Sequence, residues 1–184
     1  MTTKHYHSEV DFILRIAGEG GEGSISCGEL FARAAARTEY HVFTFLTYPA
    51  EMRGGFAMVQ VRVRDSTIYS LGSRLDCLVV FNQQALDRTV KELKTGGTVV
   101  YDPETVRLPA DLEASALALP MTELSKQATG AALGKNIVVL GALGYLVEME
   151  PEVLEGLVRD RFASKGAQVV ERNLAALRAG HAYA

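Results

Sequence analysis

Hydrophobic and polar positions change their period several times along the chain, and each change marks an element. Residues 11–17 are mostly apolar around Asp11 and Arg15, which predicts a largely buried strand. A glycine-rich loop, 18–23, interrupts it. Ser24 then opens a helix to about Arg37, with Ser24 or Ser26 as its N-cap. Ile25, Gly28, Phe31, Ala32 and Ala35 form the expected inward face, small enough for close approach to a sheet. Residues 41–46 are rich in β-formers and predict a second strand, hence a βαβ unit with a right-handed crossover. A loop spans 47–55. Residues 56–64 then alternate, Val59, Val61 and Val63 against Gln60, Arg62 and Arg64, as a half-exposed strand does. Asp65-Ser66 predicts a turn, and 67–70 its short hairpin partner.

The second half turns helical. Residues 76–81 predict a buried strand; the helix after it carries Leu86, Val90 and Leu93 at i, i+4, i+7 and stops at Gly96-Gly97. Strands are expected at 98–101 and 116–119. Four helices follow: about 122–133, 137–147 with Asn136 as cap, one with Pro151 at its first position and Leu154, Leu157, Val158 and Phe162 inward, and one ending near Arg178. Residues 137–147 form a solid apolar run in which periodicity does not separate helix from strand; Gly141 and Gly144 mark a close-packing face. The result is a polar tail, 1–10, and one α/β domain, 11–180: an open, mostly parallel sheet with flanking helices and a helical C-terminal end.

Composition narrows the function. With 184 residues, 48% hydrophobic and 22% charged, the chain can bury a core without a metal or disulfide staple. A net charge of −3 argues against nucleic acid as a partner. The longest apolar run is eleven residues, too short to span a membrane, and the polar N-terminus lacks a signal-peptide core. Cys27 and Cys77 lie fifty residues apart, which fits neither a disulfide framework nor a cluster motif. A reduced, cytoplasmic protein is the simplest expectation.

Three places could carry chemistry. Gly18-Glu19-Gly20-Gly21-Glu22-Gly23 satisfies G-x-G-x-x-G between a strand and a helix, where free N–H groups and the helix dipole favour an anion. Glu19 and Glu22 oppose that anion, and no acidic residue ends the second strand to hold a ribose. The glycines equally serve a tight turn and close packing. The loop 47–55 offers Arg53 before Gly54-Gly55, either as a guanidinium for phosphate or carboxylate or as a surface or interface arginine. Asn82 ends a strand on the same edge, as a ligand contact or a helix N-cap. Arg62 and Arg64 read as a solvated or subunit-facing surface, the cysteines as buried apolar residues, and His41 has no catalytic partner nearby. No nucleophile–base pair and no metal-binding spacing is visible.

The glycine loop, Glu29-Leu30-Phe31-Ala32-Arg33-Ala34-Ala35, and Tyr48-Pro49-Ala50-Glu51-Met52-Arg53-Gly54-Gly55 followed by Val61-Arg62 resemble the gamma subunit or gamma domain of 2-oxoacid:ferredoxin oxidoreductases. So do 96–102, Asn136 to Leu143, and the ending Asn173 to Gly180. The resemblance implies a Rossmann-like domain that packs on an alpha part and helps bind coenzyme A. Thiamine diphosphate and iron–sulfur clusters would belong to the partner subunits, alpha, beta and others, and ferredoxin would take the electrons. It implies a coenzyme A site at Gly20, Gly21, Glu22, Gly23, Arg53, Gly54 and Asn82. The family commonly has Gln where this chain has Glu22. Gamma domains are fused ahead of alpha in several relatives, so the chain is either a separate subunit or an excised domain. The form of the 47–55 loop points to 2-oxoglutarate, with pyruvate, branched-chain oxoacids and indolepyruvate as alternatives. A stand-alone coenzyme A or nucleotide module and a purely structural interaction domain are the competing functions.

Overall fold

The computed structural model describes residues 10–49 and 54–184. Six strands form one sheet in the order β2-β3-β1-β4-β5-β6: β1 (Asp11–Glu19), β2 (His41–Thr47), β3 (Phe56–Arg64), β4 (Leu75–Val80), β5 (Leu93–Tyr101) and β6 (Ser115–Ala118). β1, β4, β5 and β6 run parallel, and β3 is antiparallel to both β1 and β2. β1 and β2 are therefore parallel, as the βαβ pattern predicts, with β3 inserted between them.

Alternation along the strands divides the core in two. Leu14, Ile16, Val59, Val61, Val63, Cys77 and Val79 face α1 (Ser24–Ala35) and the C-terminal helices. Ile13, Ala17, Leu78, Val80 and Val99 face the other way, toward α2 (Gln83–Thr89). α1 lies close to β3 because Gly28 is pressed against Val59; a Cβ there would meet Val59 Cγ1 at 2.2 Å. Cys27, Leu30 and Ala34 are buried along with the predicted face, while Ile25 is only half-buried.

The apolar run is a helix, α4 (Lys135–Leu146), buried all round from Ile137 to Gly144. A helix apolar on every side must be wrapped by others. α1, α3 (Met121–Thr129), α5 (Pro151–Phe162) and α6 (Ala167–Tyr183) surround it. Its two glycines serve different neighbours: Gly141 meets the backbone of α6, and Gly144 meets Leu154 of α5. Among the described residues no single helix is long and apolar enough to cross a membrane.

Four local expectations need correction. Residues 67–70 form no hairpin strand. Arg62 donates from Nη1 to Ser70 O at 2.9 Å, and Gln60 donates from Nε2 to Leu71 O at 2.9 Å, so side chains of β3 claim the carbonyls that a ladder would use. That segment covers part of the face expected to be solvated or subunit-facing. Gln60 is 3% exposed, beside Arg15, and Arg62 and Arg64 pair with Asp11. The helix predicted to reach Gly96 gives way to a 3-10 turn at Val90–Glu92, and Leu93 already pairs with Leu75 in the sheet. Gly96 and Gly97 lie inside β5, where the register shifts between Leu75 and Cys77. Finally, the caps are glycines: Gly23 for α1 in place of Ser24 or Ser26, and Gly134 for α4 in place of Asn136.

Candidate functional site at the carboxyl edge

The helix after β1 packs on one face of the sheet and the helix after β4 on the other, although β1 and β4 are neighbours. That reversal opens a crevice outside their carboxyl ends, the place where open α/β sheets hold ligands. The glycine turn forms one lip and Asn82 the other.

The turn is held from within. Glu22 N donates to Glu19 O at 3.1 Å, and Gly20 N donates to Gly55 O at 3.0 Å, tying the turn to the start of β3. Gly21 and Gly23 have φ of 98° and 91°, a region that side-chain-bearing residues enter at a cost. A Cβ on Gly20 would meet Gly54 O and Pro49 Cγ, each at 3.1 Å. No side chain caps α1, which leaves the N–H groups of its first turn without a side-chain acceptor.

Glu22 does not stand in the loop as a loose repelling charge. Its Oε2 accepts from Glu19 N and from Asn82 Nδ2, both at 2.7 Å, and its Oε1 accepts from Lys135 Nζ at 2.8 Å. The carboxylate bridges both lips and is neutralised by Lys135, whose ammonium also lies 5.2 Å from the centre of the Phe81 ring. Only Glu19 remains as an exposed carboxylate in the turn. Asn82 has two jobs: its Oδ1 accepts from Ala85 N at 2.9 Å, capping α2, while its amide holds Glu22.

Of the predicted site residues, Gly20, Gly21, Glu22, Gly23, Gly54 and Asn82 come together at this edge; a Cβ on Gly54 would meet Glu19 Oε1 at 3.0 Å. Arg53 lies outside the described residues. Lys135 was not foreseen. It stands 113 residues from Glu22 at the start of α4, and only the packing of α4 against the turn brings it there. Asn136 comes with it, its side chain 3.0 Å from where a Cβ of Gly23 would lie.

Among the described residues no group of three or more His, Cys, Asp or Glu side chains could hold a metal ion. Cys27 and Cys77 are free and buried. Burial raises the Cys27 thiol far above its ordinary value and pushes Cys77 up to about 12, with Asp76 adding to the second shift.

Residues 13–183 match the family described as pyruvate ferredoxin/flavodoxin oxidoreductase. The chain is 31% identical to ketoisovalerate oxidoreductase subunit VorA of Methanothermobacter marburgensis, over 91% of its own length and 35% of that protein's. It is 30% identical to 2-oxoglutarate synthase subunit KorC of Archaeoglobus fulgidus, over 91% and 84% respectively. The 2-oxoglutarate:ferredoxin oxidoreductase from Magnetococcus marinus, solved with 2-oxoglutarate, coenzyme A and succinyl-CoA bound, superposes with a TM-score of 0.87. The two are 38% identical over 94% of this chain and 31% of that one. The keto/oxoacid ferredoxin oxidoreductase gamma subunit from Geobacter sulfurreducens gives 0.82 at 27% identity, over 94% and 95%. The chain thus spans about a third of the VorA protein and nearly all of the solved gamma subunit.

Proposed function

The chain belongs to the pyruvate ferredoxin/flavodoxin oxidoreductase family as a gamma-type unit, and we propose that it serves a 2-oxoacid:ferredoxin oxidoreductase acting on 2-oxoglutarate. The overall reaction oxidatively decarboxylates the oxoacid onto coenzyme A, giving an acyl-CoA and carbon dioxide, with the electron pair passed to ferredoxin. The carbanion-stabilising chemistry belongs to thiamine diphosphate, and electron transfer to iron–sulfur clusters, both held by partner alpha, beta and further subunits. This chain's own task is to bind and orient coenzyme A in the cytoplasmic complex. The likeness to the Magnetococcus marinus enzyme supports 2-oxoglutarate as the oxoacid; the VorA relative supports ketoisovalerate as the alternative.

The coenzyme A site is assigned to Gly20, Gly21, Glu22, Gly23, Arg53, Gly54 and Asn82. The observation that carries it is the switch point between β1 and β4, with the start of α1 uncapped beside it and Glu22 holding Asn82 and Lys135 in place. Phosphate oxygens would accept from the turn, and Arg53 would supply the planar fork. Glu22 is then a positioning residue for two donors. A charge-assisted hydrogen bond is worth about 1.5–3 kcal/mol, so Arg53→Ala should raise the KM for coenzyme A roughly ten- to a hundredfold in the assembled enzyme. The KM for the oxoacid should stay nearly constant. Steady-state kinetics with each substrate varied in turn decides, and an unchanged coenzyme A constant moves Arg53 to a subunit interface.

A further inference from the structure

A second concave region lies on the helical side, where α1 faces the start of α4 and the α5–α6 connection. It is a cleft of about 630 Å³. Its charged lining is Arg161, Lys165 and Arg172, and no carboxylate lines it. Neighbouring arginines on the same helices are all neutralised. Arg159 pairs with Glu155 at 3.1 Å and with Glu171 at 3.5 Å, and Arg178 pairs with Glu155 at 2.7 Å. Among the described residues Arg161, Lys165 and Arg172 make no ion pair, and all three are exposed. Lys165 Nζ lies 5.9 Å from the centre of the Phe162 ring, and three cations without a carboxylate among the lining give the hollow a positive potential that favours an anion.

The rest of the lining is not that of a bare ion site. Phe162 and Val169, both half-buried, give it an apolar wall, and Leu133 stands 93% exposed at its rim. Asn173 donates its amide to Val169 O at 2.8 Å, which leaves its Oδ1 as an acceptor in the cleft. Asn136 lines the cleft and also touches the glycine turn at Gly23, so the cleft opens beside the crevice described above. Guanidinium forks beside an apolar wall and side-chain amides suit a phosphate attached to a flat, hydrogen-bonding ring.

We infer that this cleft binds a phosphorylated nucleoside, with Arg161, Lys165 and Arg172 on the phosphates and the base against Leu133, Phe162 and Val169. Two sources share that chemistry: the nucleotide end of coenzyme A, or a free adenine nucleotide. For the first source the inference rests on the coenzyme A assignment; the second is independent of it.

The test is calorimetric titration of the full chain and of the assembled enzyme with adenosine 3′,5′-bisphosphate, ADP and coenzyme A. The Arg161→Ala/Arg172→Ala double variant should bind the phosphorylated nucleosides roughly tenfold or more weakly, while Arg161→Lys/Arg172→Lys should retain part of the affinity. Competition between the bisphosphate and coenzyme A identifies the first source; ADP binding without such competition identifies the second. Coenzyme A bound by the assembled enzyme equally well in wild type and double variant, with no nucleotide effect, overturns the cleft and leaves the coenzyme A assignment standing. Coenzyme A bound by neither, with ADP still weakened by the double variant, overturns that assignment and keeps the cleft. Loss of subunit assembly with nucleotide affinity untouched gives the cations to a partner's acidic surface and also overturns the inference.

Discussion

The glycines of the α4–α6 contact and those of the turn after β1 are the same residue used against opposite constraints. Gly141 and Gly180 face crowded backbone: a Cβ would lie 1.9 Å from Leu177 O at the first and 1.8 Å from Val138 O at the second. Their backbones are ordinary helix, so any side chain is excluded by space alone. Gly21 is the reverse: nothing lies within 4 Å of its absent Cβ, and its φ of 98° is what demands glycine. The contrast separates a packing seam, where two helix axes are drawn together, from an exposed turn, where the chain doubles back through a left-handed residue.

The seam should be the costlier place to disturb. Gly180→Ala gains about 1 kcal/mol of helix propensity but drives a methyl into a carbonyl of α4. Overpacking of this kind costs about 1–3 kcal/mol and occasionally more, and here both groups are backbone. A cost above the usual range, about 3–4 kcal/mol, leaves a net loss of about 2–3 kcal/mol in urea unfolding; a Gly180→Ala protein as stable as wild type would show that α6 can slide on α4.

Next in size is Glu22→Ala, which leaves Glu19 N, Asn82 Nδ2 and Lys135 Nζ without their shared acceptor. All three lie at a surface that water reaches, so a loss of about 1–2 kcal/mol is expected. Glu22→Gln keeps one accepting oxygen and turns the other position into a donor, so it should lose about half as much. Equal stability of all three proteins would mean that the bridge shapes the crevice without holding it.

Gly21→Ala sharpens the other side of the contrast. With open space around it, the cost should be only that of a left-handed backbone, about 1 kcal/mol, and Gly21→Asn should recover part of it. A loss as large as at Gly180 would make the turn a packed element after all.

The smallest effect is acid sensitivity, and it lies away from both glycine sets. Hydrogen bonds from Arg62 hold the Asp11 carboxyl below its ordinary range, and those from Arg15 do the same for Glu92. A lowered folded-state value gives stability that is complete above the unfolded pKa and is lost as pH falls through the folded one. Both carboxylates are more than a third exposed, so a few tenths of a kcal/mol each is expected after screening. The loss should appear below about pH 4.5. Thermal midpoints of wild type and Asp11→Asn between pH 6 and pH 3 should converge toward the acid end.

The sheet and its helices were readable where one period dominates. Val59, Val61 and Val63 announce β3, and Pro151 with Leu154, Leu157 and Val158 announces α5. Reading failed where a distant side chain overrides local preference. Thr67-Ile68-Tyr69 has the composition of a strand, yet Gln60 and Arg62 take its neighbours' carbonyls. Leu93 falls in helical phase with Leu86 and Val90, yet its place is in the sheet beside Leu75. At the crevice the sequence identifies the turn and Asn82, because both follow strands. It misjudges Glu22, since the partner that neutralises it, Lys135, is supplied by an element whose proximity no local pattern encodes.

Cys27 sits one residue before the glycine that presses α1 onto β3, with no exposed surface. Burial raises its thiol well above the ordinary value and leaves it no surface for a reagent to reach while α1 stays seated. Labelling of Cys27 therefore waits for the helix to lift, and with fast chemistry its rate becomes a clock for that opening. Cys77, inside β4, keeps the corresponding time for the sheet. Two buried thiols thus report, from inside one chain, whether the helical layer departs before the strands separate or together with them.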